Sequence, residues 1–163
     1  MDAERLIGAG RVALARSGAA LDVVAEAWQA QALAQAIGDQ LARHGPQELR
    51  TEARDLAETG ARGGTSPDHP SLRAGGIRAA RLSVVTDARS ALTGLGVLLG
   101  EVGIALVSVA CGTDEEGLYW QCIEAIDAAD ESNDRVLGML RKLTEQDEVR
   151  ERVREMEKEK ERG

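Results

Sequence analysis

The stretch from Ala91 to Leu143 constrains this chain more than any other. It is an apolar run whose only charge up to Cys111 is Glu101, then a break at Gly112-Thr113, then an amphipathic run with an acidic back. Before the break, Ala88, Ala91, Leu92, Leu95, Leu98, Leu99, Val102, Leu106 and Val109 recur at helical spacing. After it, Tyr119, Cys122, Ile126, Ala129, Asn133, Val136, Leu140 and Leu143 step by threes and fours, the repeat of a helical seam. Thr113-Asp114-Glu115-Glu116 has the form of a capping box. Two helices folding back on each other satisfy all three signals, so the stretch predicts a long antiparallel hairpin.

Gly96, Gly100 and Gly103 form a bare stripe beside the first apolar face. Glycine costs about 1 kcal/mol against alanine inside a helix, so such a stripe calls for close helix packing in return. Folding about Thr113 sets Gly100 level with Ile126 and Gly103 level with Ile123. A larger side chain at Gly100 is therefore expected to overpack. Asn133 is the one polar member of the second seam, a residue type that fixes register at some cost in stability.

The rest of the chain reads as helices laid on this hairpin. Asp2 to Arg16 is a first helix, and Ala20 to Arg43 a second with an alanine-rich seam through Val23, Ala27, Ala30, Ala34, Ile37 and Leu41. Gly45-Pro46 breaks it. A third helix runs from Pro46 to Thr59, stopped by Gly60. Residues 60–76 hold five glycines and two prolines and read as a crossover loop. Helix is expected to resume near Ile77 and run to Cys111, its polar side (Ser83, Asp87, Ser90, Gly94, Glu101, Ser108) marking a water edge. From Glu145 the chain is charged on nearly all sides apart from Val149, Val153 and Met156. The expected fold is an all-α antiparallel bundle over residues 1–144, with a solvated helical or disordered extension over 145–163.

Composition narrows function mainly by exclusion. With 28 acids against 20 Lys and Arg, the net charge of -8 opposes binding to a nucleic-acid backbone, which needs clustered bases. No signal peptide opens the chain, so a cytoplasmic protein is expected. The run Ala91–Cys111 is long enough to span a membrane, yet Glu101 on a polar stripe suits a soluble bundle better. Cys111 and Cys122 would be offset by about 10 Å in a straight hairpin, too far for a disulfide; both read as reduced packing residues. His44 and His69 have no metal-ligand spacing to either cysteine, and no cofactor is implied.

Two sets of residues are candidates for a site. Glu124, Asp127, Glu131 and Asp134 line one side of the last helix. With Glu52 and Asp55, the pair Glu124 and Asp127 repeats an E-x-x-D spacing that resembles the all-helical nucleotide pyrophosphohydrolases, where carboxylates hold Mg²⁺ against a phosphate. A solvated face explains the same residues more simply. Trp120 lies beside Glu124 and suits a partner anchor, or packs on Trp28. No nucleophile–base pair and no E-x-x-H di-iron motif is present.

The segments AEAWQAQALAQAIG (25–38), LTGLGVLLGEVGIALV (92–107) and YWQCIEAIDAADES (119–132) resemble a family of small uncharacterised helical proteins of actinobacteria. The resemblance implies no activity. The favoured function is a non-catalytic interaction or scaffold protein, a homodimer being its simplest form, with Trp120, Glu124, Asp127 and Glu131 as contact residues and Gly96, Gly100 and Gly103 as close-packing ones. A Mg²⁺-dependent phosphohydrolase using Glu52, Asp55, Glu124 and Asp127 is the first alternative, and a single-span membrane-associated protein the second.

Overall fold

The computed structural model describes residues 1–63 and 76–163. Among them are five α-helices and no strand: α1 (Ala3–Arg16), α2 (Ala20–His44), α3 (Arg50–Gly63), α4 (Ala88–Gly112) and α5 (Glu116–Arg162). Short 3₁₀ turns cover Gln47–Leu49 and Arg78–Arg81. The protein is an all-α bundle.

The hairpin of α4 and α5 is present, and its register is close to the expected one. Arg89 at the start of α4 reaches Asp147 on α5 at 2.6 Å, and Gly96 lies beside Asn133 and Val136. The centre of the bundle is nevertheless α2. Twelve of its 25 residues are buried, against eight of the 25 in α4, and it packs against each of the other four helices. Its alanine seam permits this, because small side chains let several helix axes approach one helix at once.

The backbones of α2 and α3 come into direct contact. A Cβ on Gly38 would lie 2.6 Å from the Ala57 nitrogen and 2.8 Å from the Ala53 oxygen; one on Gly60 would lie 2.6 Å from the Gln35 nitrogen. Gly60 therefore does not stop a helix, as expected from sequence, but lets two backbones touch while α3 continues to Gly63. The expected stripe behaves in the opposite way. At Gly100 and Gly103 an added Cβ meets nothing within 4 Å, and at Gly96 it meets Asn133 and Val136 at ordinary contact distance. Gly96 therefore packs on α5 while Gly100 and Gly103 have open space beside them, so the expectation that Gly100 receives a bulky side chain fails.

Helix α4 begins at Ala88, eleven residues later than the expected Ile77. Ser83-Val84-Val85-Thr86 is β-branched and hydroxyl-rich, which disfavours helix, and Asp87 supplies the N-cap by accepting from the Ser90 amide at 3.1 Å. Residues 76–87 form a strap instead. Its 3₁₀ turn bonds internally, through the Ala80 and Leu82 amides, and the rest is held from outside: Gln29 donates to the Gly76 carbonyl and accepts from the Arg78 amide, Arg78 pairs with Glu26, and the Ser83 amide donates to the Met1 carbonyl at 2.9 Å. The need for a long connection follows from direction. Glu52 meets Lys142 and Arg62 meets Glu131 on α5, so α3 runs antiparallel to α5 and in the same direction as α4. Any connection from α3 to α4 must return the length of the bundle. The glycine- and proline-rich part expected to do so, 64–75, lies outside the described residues.

The capping box at the hairpin turn does not form. Thr113 Oγ1 accepts from the Glu115 amide at 3.1 Å, and α5 starts two residues later than a Thr113 cap would set it, with Glu115 as its N-cap. At the other end α5 continues as helix to Arg162.

The seam of α5 keeps Cys122, Ala129 and Val136 as expected, but Ser132 and Met139 take the buried places expected of Asn133 and Leu140. Cys122, Ala129, Ser132, Val136 and Met139 are buried, while Asn133 and Leu140 are only partly so. The cause is packing against three helices rather than one. Ser132 turns toward α2, where its hydroxyl donates to Gln31 Oε1 at 2.7 Å, with both residues buried. Ser132→Ala should leave that oxygen buried and unpaired and cost about 1–3 kcal/mol. Adding Gln31→Leu should recover much of the loss, since both ends of the bond are then apolar. Urea unfolding of the two singles and the double measures this; strictly additive losses would show that the bond carries no coupling.

Candidate helix-docking face

The charges of α4 are engaged by its neighbours and leave its outer face neutral. Arg89 pairs with Asp147, and Glu101 accepts from Arg11 Nε at 3.0 Å and Nη2 at 2.7 Å in a two-pronged contact with α1. The hydrogen bond and the charge of Glu101 both hold the Arg11 guanidinium above its usual range. Glu101 is thus at a water edge, as expected, though its partner lies 90 residues away in sequence and was not foreseen.

What remains outward is Val97, Gly100, Ile104 and Val107, on one face by helical spacing. Ile104 is 75% exposed, Val97 45% and Val107 47%. Beside this ridge runs a groove of about 330 Å³ between α4 and α5, lined by Gly100, Gly103, Val107, Ile126 and Asn133 among others. Gly100 and Ile126 share the groove, which agrees with the register read from sequence. Asn133 Oδ1 sits buried with no hydrogen-bond partner among the described residues. The ridge is apolar and carries no charge, and the groove beside it is floored by glycine and edged by Asp130 and Asn133 on α5, so a helix can pack closely on the α4 side and meet one carboxylate at the rim.

By length and composition α4 is also able to cross a membrane, with a mean hydropathy of 2.0; one third of that window is buried inside the protein. One such helix is weak evidence, because the core helix of a bundle has the same composition.

The remaining sequence candidates fall elsewhere. Trp120 is 55% exposed and meets Tyr119 edge-on, with ring centroids 5.3 Å apart and planes at 80°. Glu124, Asp127 and Glu131 are exposed on α5. Glu124 borders a polar cleft of about 250 Å³ with Trp28, Arg62, Gln121 and Ala125, and Glu131 accepts from Arg62 at 2.9 Å. Arg62 was not foreseen as part of this cleft. Its position just before the Gly63-Gly64 pair made it read as loop.

The acids proposed for Mg²⁺ do not converge. Glu52 meets α5 at Lys142, eighteen residues beyond Glu124 (142 − 124), an axial separation of about 27 Å. Glu52 is held by the Lys142 ammonium at 2.7 Å, and that hydrogen bond keeps its carboxyl below the usual range. Glu52 thus has a base where a divalent cation would need more oxygens, and Glu124 shares its cleft with a guanidinium. Among the described residues no three His, Cys, Asp or Glu side chains come together to hold a metal. Cys111 is exposed and Cys122 buried, both free; burial pushes the Cys122 thiol up. Cys111 is therefore not the packing residue it was expected to be.

No curated protein and no solved structure matches this chain. A family model does: it matches residues 1–142, which take in the whole of α1 to α4 and α5 as far as Lys142, and the chain belongs to that family of unknown function (DUF6099).

Proposed function

We propose that this chain is a non-catalytic interaction protein that holds a partner protein's helix on the outer face of α4. One observation carries the reading: Val97, Ile104 and Val107 stay exposed beside a glycine-floored groove on a helix whose charged residues are already paired. An exposed apolar ridge of this kind, with the single carboxylate of Asp130 at the far rim of its groove, is costly to keep in water and suits a docking site. Glycines at Gly100 and Gly103 would let a second helix approach closely, which supports a helical partner over a loop.

The test compares wild type with Ile104→Arg and Gly100→Leu. Both positions are open, so both variants are expected to fold. Crosslinking in cells should recover a protein partner with wild type and lose it with each variant. Retention of the same partner by both variants would reject the face. Calorimetry with Mg²⁺ and nucleoside triphosphates should give neither heat nor turnover, and hydrolysis would overturn the non-catalytic reading in favour of a phosphohydrolase. Flotation with lipid vesicles that depends on Ile104 would instead assign the face to a membrane.

A further inference from the structure

Beyond Lys142 the side of α5 that α3 covers continues without a cover among the described residues. Glu131 and Lys142 reach α3 through Arg62 and Glu52. At 100° per residue, Val149, Val153, Met156 and Lys160 lie within about 60° of that same direction. Helix α3 starts at Arg50, and Glu48 in the turn before it lies 3.8 Å from Arg150, so the cover ends there. Val149, Val153 and Met156 are 55%, 48% and 64% exposed. With Lys160 they step by four, three and four, the spacing of a two-helix seam in an otherwise charged segment.

We propose that this stripe is a self-pairing seam, in which α5 of one copy lies antiparallel along α5 of a second copy over residues 149–160. The inference deepens the interaction reading by naming a partner, and it uses a different surface from the α4 face. Direction follows from α3: a parallel second helix, continued toward Lys142, would run into the space that α3 fills. An antiparallel one carries its own bundle away beyond the far end of the seam.

Charge then selects the register. Setting Val153 against Met156 of the second copy places Val149 beside the aliphatic stem of Lys160. The flanking pairs become Arg152 with Glu159 and Arg150 with Glu157, each formed twice by the two-fold axis. All four are attractive. Moving the helices by one heptad, so that Val149 meets Val153, brings Arg152 onto Arg152 and Glu145 onto Glu159. Those contacts are repulsive. A second copy of this chain therefore complements the stripe in apolar spacing and in charge, in one register.

The test uses the full chain in sedimentation equilibrium at low salt, over roughly a hundredfold range of concentration. The wild-type mass should rise from 17.3 kDa toward twice that value, and added salt should weaken the association because the flanking pairs are screened. Arg152→Glu alone and Glu159→Arg alone should each weaken it by at least about tenfold, since each turns two attractive pairs repulsive. A mixture of the two variants should associate again, because the acid introduced in one chain then faces the base introduced in the other. All these positions are exposed, and an unchanged circular dichroism spectrum checks that folding is intact. A 17.3 kDa species at every concentration overturns the proposal. So does a mixture no better than its components, and so does a Glu159→Arg variant that pairs like wild type, the result a parallel seam would give. Association abolished by Ile104→Arg but indifferent to both charge reversals would place self-pairing on α4 and reject this seam alone.

Discussion

Gly38→Ala is expected to destabilise the protein by ~3 kcal/mol, the upper part of the range for overpacking. The added carbon would lie 2.6 Å from the Ala57 nitrogen and 2.8 Å from the Ala53 oxygen. Those atoms are backbone of a packed helix and cannot rotate away, so α2 and α3 must separate along the contact. Alanine's better helix propensity returns about 1 kcal/mol, too little to offset this. Gly100→Ala provides the contrast. Nothing lies within 4 Å of its added carbon, so the propensity gain stands alone and the variant should be more stable by up to about 1 kcal/mol. Thermal melts of both variants decide the matter: a drop of roughly 10 °C is expected for Gly38→Ala and a small rise for Gly100→Ala. A neutral Gly38→Ala would mean that the two helices are not in backbone contact.

That contrast shows where sequence reading succeeds and where it stops. The apolar faces of α2 and α4 were legible, because burial follows helical spacing: Val23, Ala27, Ala30, Ala34, Ile37 and Leu41 are buried, as are Leu92, Leu95, Leu99, Val102 and Leu106. So was the break at Gly45-Pro46, which needs no partner to explain it. A glycine's role, by contrast, depends on what lies opposite. Gly96, Gly100 and Gly103 attract attention as a pattern, while Gly38 and Gly60 are single residues whose packing partners, on the other helix of the α2–α3 hairpin, come together only on folding. The start of α4 was misplaced because apolar residues continue upstream through Val84 and Val85, and the weak signal of Asp87 followed three residues later by Ser90 competes with them. On α5, Cys122, Ala129 and Val136 were read correctly, but the exchange of Asn133 for Ser132 needs knowledge of α2, since nothing local makes Ser132 the buried member. At the candidate site, the groove's register was readable from the turn, but the neutrality of α4's outer face rests on Arg11 and Asp147, far away in sequence.

Leu99→Ala should cost about 2–5 kcal/mol, and Ile104→Ala in dilute solution should stay within about 0.5 kcal/mol of wild type. The two residues are five apart on α4 and point to different sides: Leu99 is 1% exposed in the core, and Ile104 is 75% exposed. Truncating Leu99 removes buried carbon and leaves a cavity that close-packed neighbours only partly fill. Truncating Ile104 removes carbon that already faces water. This difference separates the two meanings of a long apolar helix. A helix surrounded by lipid has no such sidedness in water, whereas a bundle helix with a docking face has one residue set that holds the monomer together and another that does nothing until a partner arrives. Urea unfolding at two protein concentrations measures both variants. Equal losses at low concentration would mean that the outer face of α4 is covered within a single chain and is not available to a partner. A loss at Ile104 that appears only as concentration rises would mean that a second copy covers it, because association stabilises the folded state by mass action.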